Sequence, residues 1–466
     1  MTTSPRPLRI GNVSASRADR ASATAEFLSA ATLDVLALDM LSDEAVLDLA
    51  RQRAGGGPGY ERAALEQLAL CLDRIGPAGV RVVTNAGALD PEGLAAQLGA
   101  LARDRGLELP VAWLDPGDVT ARAAELELGE VDVATVRHGA FGIARALAEG
   151  AAVVITGRVS REALVTGAAA AHHGWTPSAL DALAGSVAVG HVLSGGPGAT
   201  GVVDSSTDVT RTTDPVSGGY PIAEIAADGS AVVTRHPSAF GSVTIGTVTD
   251  QLLDGVAGAR YAAPDVVLRL DSVRLAQEGT DRVRISGARG EAAPEVVAVV
   301  GLSAGERRPS RVARPLDQQA AGHTVTLPDG RTRAVPLPAE TAPIGPGELP
   351  DSRVQATVPG GDPVRAHLGS VAGVRRGVVG RGVNIAVWTW DDAAFAWLAG
   401  EFTTERFREL IPGLEGMDVR RYLLPNLRAV NLVVRPPRGT ALPPALGVDL
   451  AAARMDIPGE LLEVGA

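Results

Sequence analysis

Asn12, Asn85 and Arg158 each follow a short apolar run, ending at Ile10, Val83 and Ile155 respectively. An arginine in such a place grips a carboxylate or phosphate through two parallel N–H bonds, and an asparagine amide orients a carbonyl. Were the three runs parallel strands, these side chains would share one carboxyl edge, where open α/β sheets bind their ligands. Gly87, in "RVVTNAGALDP", would then let the main chain come close to that ligand. It would serve equally in a tight turn that needs a positive φ. Asn12 and Asn85 also suit Asx-type turns, and Arg158 could simply pair with an acid such as Glu162.

His191 and Glu224 are the candidate proton-transfer groups. A neutral imidazole beside a cleft can act as a general base. A carboxylate after the flexible "GGYP" could take a proton α to a thioester carbonyl. Packing is the competing role for His191, and a strand-edge salt bridge for Glu224. Asp19 stands at a helix start, where it either touches substrate or only caps the helix. The neighbouring His172 and His173 point to different faces of a helix, which argues against a shared metal ion. Cys71 is the single cysteine; it excludes an internal disulfide and reads as an inert residue on the apolar face of a helix.

Composition narrows the chemistry. The 466 residues carry 43 basic and 54 acidic side chains, a net charge of −11, which disfavours nucleic acid or an anionic membrane as partner. No apolar run approaches ~20 residues, so no membrane span is expected. The N-terminal nine residues lack the apolar core of a signal peptide, and a cytoplasmic location is expected. All the basic residues are arginine and none is lysine. Schiff-base chemistry and the phosphate-loop lysine are thereby excluded. Neither a dinucleotide glycine fingerprint nor a phosphate loop is present, and no cofactor or metal is expected.

These residues need elements to hold them. Short apolar strands at 8–11, 33–38, 80–84, 111–114 and 152–156 alternate with amphipathic helices, the pattern of a parallel sheet. "AGGGPGY" at 54–60 reads as a surface loop. The Gly-, Ser- and Thr-rich stretch after Leu193 is long enough for a lid. Hairpin signals follow, one turning at Asp329-Gly330. The whole reads as an α/β fold in three parts. Residues 1–300 form a large domain with a mostly parallel sheet and flanking helices. Residues 301–364 are a Pro/Gly-rich irregular connector, and 365–466 form a small α+β domain.

Several phrases, "RIGNVSASRADR", "VTNAGALDP", "ITGRVSREAL", "AVGHVL" and "GYPIAEIAADGS", then "TVTDQLL", "DRVRISGARG", "NIAV" and "YLLPNLRAVN", run in order along the chain. Together they resemble the AtuA-like acyclic terpene utilisation proteins. That resemblance implies an N-terminal α/β domain, a C-terminal ferredoxin-like domain, and a setting beside acyl-CoA carboxylases, hydratases and lyases of branched-chain and terpenoid acid catabolism. Three landmarks differ. Ser160-Arg161 stands where Thr-Asp is usual, Ser194-Gly195-Gly196 where Glu-Cys-Gly is usual, and Val378-Val379 where Asp-Lys is usual.

Two functions remain open on this reading. One is a metal-free hydratase, isomerase or lyase acting on an acyl-CoA or carboxylic acid. Arg158, Asn12, Asp19, Asn85 and Gly87 would bind substrate, and His191 and Glu224 would move protons. The other is a non-catalytic scaffold subunit of an acyl-CoA-processing assembly. A homo-oligomer, and acyl-CoA enzymes as partners, are expected in either case.

Overall fold

The computed structural model describes residues 6–13, 22–30, 32–76, 79–201, 203–204, 209–210, 219–236, 241–305, 310–344, 360–437, 440–447 and 449–463. Asp19 and residues 202, 205–208 and 211–218 of the Gly/Ser/Thr-rich stretch expected as a lid lie outside the described residues. The centre of the molecule is a parallel block of strands: β1 (Leu8–Val13), β2 (Val35–Leu38), β3 (Arg81–Ala88), β4 (Val111–Leu114) and β6 (Val153–Gly157). Their spatial order is β1-β2-β3-β6-β4, and every pairing within the block is parallel. Nearly all their side chains are buried, which explains why the strands read as continuous apolar runs and not as alternating ones.

Antiparallel strands extend both edges into an eleven-stranded sheet. Pro221–Ile225 pairs with β1, and Thr324–Thr326 pairs with β4. The latter belongs to the hairpin foreseen at Asp329-Gly330, where Gly330 takes φ 83°. One strand of the series, β5 (Val133–Val136), leaves the main sheet. It pairs with Val296–Ser303, which in turn pairs with Ser310–Asp317. Segment 301–364 therefore contributes strands to the main sheet, the β5 sheet and two smaller two-stranded pairs, more order than its proline and glycine content led us to expect.

The helices are set by local chemistry. α2 (Asp43–Ala54) begins at Ser42, whose Oγ accepts from the Ala45 N–H at 3.1 Å. α4 (Pro91–Asp104) begins at Asp90, which accepts from Gly93 N at 2.9 Å, with Pro91 filling the first helical position. α6 (Ala163–His173) and α7 (Leu180–Leu193) are apolar on nearly every side and are buried together. An ideal Cβ on Gly190 would lie 2.8 Å from the Glu162 carbonyl oxygen. That glycine lets α7 press against the start of α6 and brings His191 beside Glu162.

Gly87 fills a different role from either one expected. Its φ is not in the left-handed region; Ala88, at φ 46°, makes the turn. A Cβ on Gly87 would come within 2.8 Å of both Thr156 O and Pro91 Cα. The glycine is needed where β3, β6 and α4 converge. Cys71 also differs from expectation: α3 (Arg62–Ala69) ends two residues before it, so the thiol lies just beyond the helix. It is buried, and burial pushes its pKa up to about 11.

The C-terminal unit runs hairpin, two helices, hairpin. Strands Ala372–Val379, Gly382–Thr389, Ala429–Arg435 and Asp418–Leu424 stand in that spatial order and all pair antiparallel. α9 (Asp392–Glu401) and α10 (Thr404–Leu410) lie between the two hairpins in sequence. This is an α+β unit, but its chain order is not the β-α-β-β-α-β of a ferredoxin-like fold. One face of its sheet packs on α8 (Ile245–Leu252) and the segment after it. Asn384 donates to Leu253 O at 2.8 Å, and Asn431 donates to Val256 O at 3.0 Å. Both asparagines are fully buried. Replacing Asn431 with alanine strands the Val256 carbonyl and removes an acceptor from Asn384. Urea unfolding is expected to show a loss of about 2 kcal/mol. Among the described residues no helix is long and apolar enough to cross a membrane.

Candidate functional site

A cleft of about 740 Å³ opens at the carboxyl ends of β2, β3 and β6. Its floor carries Asp39 and Arg158, just past the ends of β2 and β6, Asp43 at the start of α2, and Asn85 within β3, where its register with β6 breaks after Thr84. The small sheet containing β5 supplies the facing wall with Arg137, Arg311 and Arg314. His191 at the end of α7, Asp254 after α8 and Tyr261 close a third side. Val378 reaches in from the C-terminal unit.

Asp43 organises the arginines. Arg158 donates to its Oδ1 at 2.6 Å and to Ser42 O at 3.0 Å. Arg137 lies 3.3 Å from the same carboxylate, and Arg311 lies 3.5 Å from it. Burial opposes the Asp43 charge, but the three guanidinium groups outweigh burial and hold its pKa below the usual carboxylate range. As first residue of α2, it also faces the positive end of that helix. Asp254 is held ionised in the same way, against burial, by Arg161 at 2.5 Å and Arg375 at 3.2 Å.

The other two acids move in the opposite direction. Burial raises the pKa of Asp39, although Asn85 donates to it at 2.6 Å. Burial likewise raises Glu162, which accepts from the Tyr261 hydroxyl at 3.2 Å. Five guanidinium groups thus face two carboxylates held ionised and two drawn toward protonation. Arg137 shows the resulting imbalance: burial, then the adjacent Arg158 charge, both act against its own charge. The cleft is built for an anion.

His191 rests edge-on against Tyr261, with ring centroids 4.8 Å apart. Its nearest polar partner is the Asp254 main chain, reached only in strained hydrogen-bond geometry. Burial, then Arg161, lowers its pKa to about 4, so the imidazole is neutral at physiological pH. Its folded pKa lies below the unfolded value, so its contribution to stability is lost as pH falls from about 6.5 toward 4. Asp265, buried and raised to about 7, acts with the opposite sign and gains on acidification. A comparison with His191→Phe isolates the histidine. Between pH 7 and pH 5, wild type is expected to lose roughly 2 kcal/mol more than the variant in denaturant titrations.

Of the residues singled out in the sequence, Asn85, Arg158 and His191 meet in this cleft. Arg158 pairs with Asp43 instead of Glu162. Asn12 does not line the cleft: it is buried and donates to Leu193 O at 2.7 Å, because the end of α7 covers the tip of β1. Glu224 lies on the antiparallel extension and pairs with Arg282 at 2.8 Å, the strand-edge salt bridge weighed against a catalytic role. Gly87 is packed behind the cleft wall. His172 and His173 each bond a main-chain carbonyl, of Arg6 and Ile225. Among the described residues no three His, Cys, Asp or Glu side chains group as a metal site.

The family model described as acyclic terpene utilisation family protein AtuA matches residues 8–307. The chain belongs to the AtuA family. No curated protein and no solved structure matches it. The matched span holds most of the cleft of this AtuA member, whereas Arg311, Arg314 and Val378 come from outside it. Two of the three landmark differences fall in the cleft, Arg161 and Val378. The third does not line it: Ser194-Gly195-Gly196 follows α7, with Gly195 packed beside Gln251 of α8.

Proposed function

We propose that the protein is an enzyme that binds a small carboxylate or acyl thioester through the arginine cleft and moves a proton at the carbon next to the carbonyl. The observation that carries this reading is the pairing, in one cleft, of five guanidinium groups with a buried carboxyl whose pKa is raised. Arginines at the carbonyl oxygens stabilise the negative charge that develops when a C–H proton leaves. Glu162 takes that proton as a carboxylate and returns it as an acid, and a raised pKa suits both roles. Tyr261 orients Glu162 by donating to one oxygen. His191, neutral and bordering the cleft, can offer the substrate a hydrogen bond and is too weak a base to compete with Glu162. Asn85 holds Asp39 and the Met40 N–H, and so fixes the floor. Isomerisation and dehydration begin with this step; hydration and carbon–carbon lysis reach the same enolate by adding water or breaking the C–C bond and end with its protonation, and none of them needs lysine.

The test is deuterium exchange. Carboxylic acids and their coenzyme A thioesters are incubated with the protein in D₂O, and the α-carbon signals are followed by NMR. Exchange at that carbon is the expected result. A ligand that binds but never exchanges would move the protein to the scaffold class, which the valine at position 378 in the cleft favours over a full catalytic set.

A further inference from the structure

We infer that the natural ligand is a free carboxylic acid with a hydrocarbon chain, bound carboxylate-first, and not the acyl end of a coenzyme A thioester. The inference rests on the proposed anion site and narrows it. It comes from how polarity changes with depth in the cleft. Most charged groups sit low: the Arg158 side chain is 5% exposed, Arg137 23%, and Arg311 and Asp43 28%, while Arg161, at 44%, reaches the rim. The apolar groups sit at the mouth: Val296 is 42% exposed, Ile344 44% and Val378 65%.

Only seven large apolar side chains among the described residues are exposed, and three of them line this one cleft. They come from separate parts of the chain: Val296 opens the strand beside β5, Ile344 follows the short strand at Thr341–Ala342, and Val378 belongs to the C-terminal hairpin. Isolated exposed valines need no explanation, but three converging on a charged cleft form the wall for an apolar chain.

A thioester would have to enter acyl-first to bring its α-carbon to Glu162. Its hydrocarbon would then desolvate guanidinium groups without replacing their hydrogen bonds, and its phosphates would lie against Val296 and Val378. Entering phosphate-first would leave the thioester carbonyl at the mouth, away from Glu162. A free acid satisfies both ends: its carboxylate reaches the arginines, its α-carbon lies near Glu162, and its chain covers the apolar rim.

Calorimetric titration of the full-length protein with butyrate, hexanoate, octanoate and octanoyl-CoA tests this. Affinity is expected to rise roughly three- to fourfold per added methylene, with octanoate binding more tightly than octanoyl-CoA. Val378→Asn or Ile344→Asn, at exposed positions the fold tolerates, should weaken octanoate about tenfold and leave butyrate within twofold. Octanoyl-CoA binding tenfold more tightly than octanoate would overturn the inference and leave the anion site standing. So would affinity independent of chain length, or octanoate binding untouched by both variants. Failure of every acid and of the thioester to bind would remove the proposed function as well.

Discussion

Replacing Arg158 with alanine is expected to weaken carboxylate binding by roughly a hundredfold or more, as read by calorimetry. The guanidinium has five N–H groups, and the two bonds it makes, to Ser42 O and Asp43, leave others for a ligand. Two charge-assisted bonds to a carboxylate contribute about 3 kcal/mol or more in such a site, which is the hundredfold expected. The variant also strands part of the Asp43 charge. Arg137 and Arg311 remain beside it, so the stability loss should stay near about 3 kcal/mol, the low end for breaking a buried pair. Arg158→Lys keeps the charge but loses the fork, and should recover stability more fully than affinity. If alanine leaves affinity unchanged in a folded protein, Arg158 serves only to hold α2.

Glu162→Gln is expected to reduce α-carbon exchange by roughly a hundredfold to ten-thousandfold. The amide is nearly isosteric and can still accept from the Tyr261 hydroxyl. Ligand affinity should therefore change little, and the thermal midpoint should hold or rise, because burial disfavours the carboxylate charge at this position. The pH profile offers a second reading. Exchange by the wild type should require the ionised form and rise with pH through a value above the ordinary glutamate range. An equal fall in binding and exchange would instead make Glu162 a binding group.

The parallel block and its carboxyl edge were legible because buried parallel strands leave continuous apolar runs followed by polar or glycine residues. Asn85, Arg158 and His191 could be picked out for the same reason: Asn85 follows the last regularly paired residue of β3, Arg158 follows β6, and His191 nearly ends α7. The far wall left no local signal. β5 has only four residues, and its partner strand begins at Val296, so Arg137 and Arg311 meet Asp43 only after distant segments pair. Asp43 itself reads as an ordinary acid in the first turn of a helix. Glu162 looked like a partner for Arg158, because sequence shows neither its burial nor Tyr261 lying above it.

Asn12 matched the pattern of Asn85 and still falls outside the cleft. β1 lies beyond β2, away from β3 and β6, and the end of α7 caps its tip. Glu224 was placed by its flexible neighbours, whereas antiparallel pairing sets it opposite Arg9, at the amino end of β1 and away from the carboxyl edge. The C-terminal unit was found as α+β from its strands and helices, but its hairpin–helices–hairpin order could not be read from periodicity.

The central claim is that the cleft selects its ligand by charge. The most direct measurement compares the affinity of the wild-type protein for octanoate with that for octan-1-ol, which keeps the chain and removes the carboxylate. The account predicts at least a hundredfold preference for the acid, narrowed in Arg158→Ala. Equal affinity for the two would show that the apolar rim binds and the arginines do not, and would contradict the account.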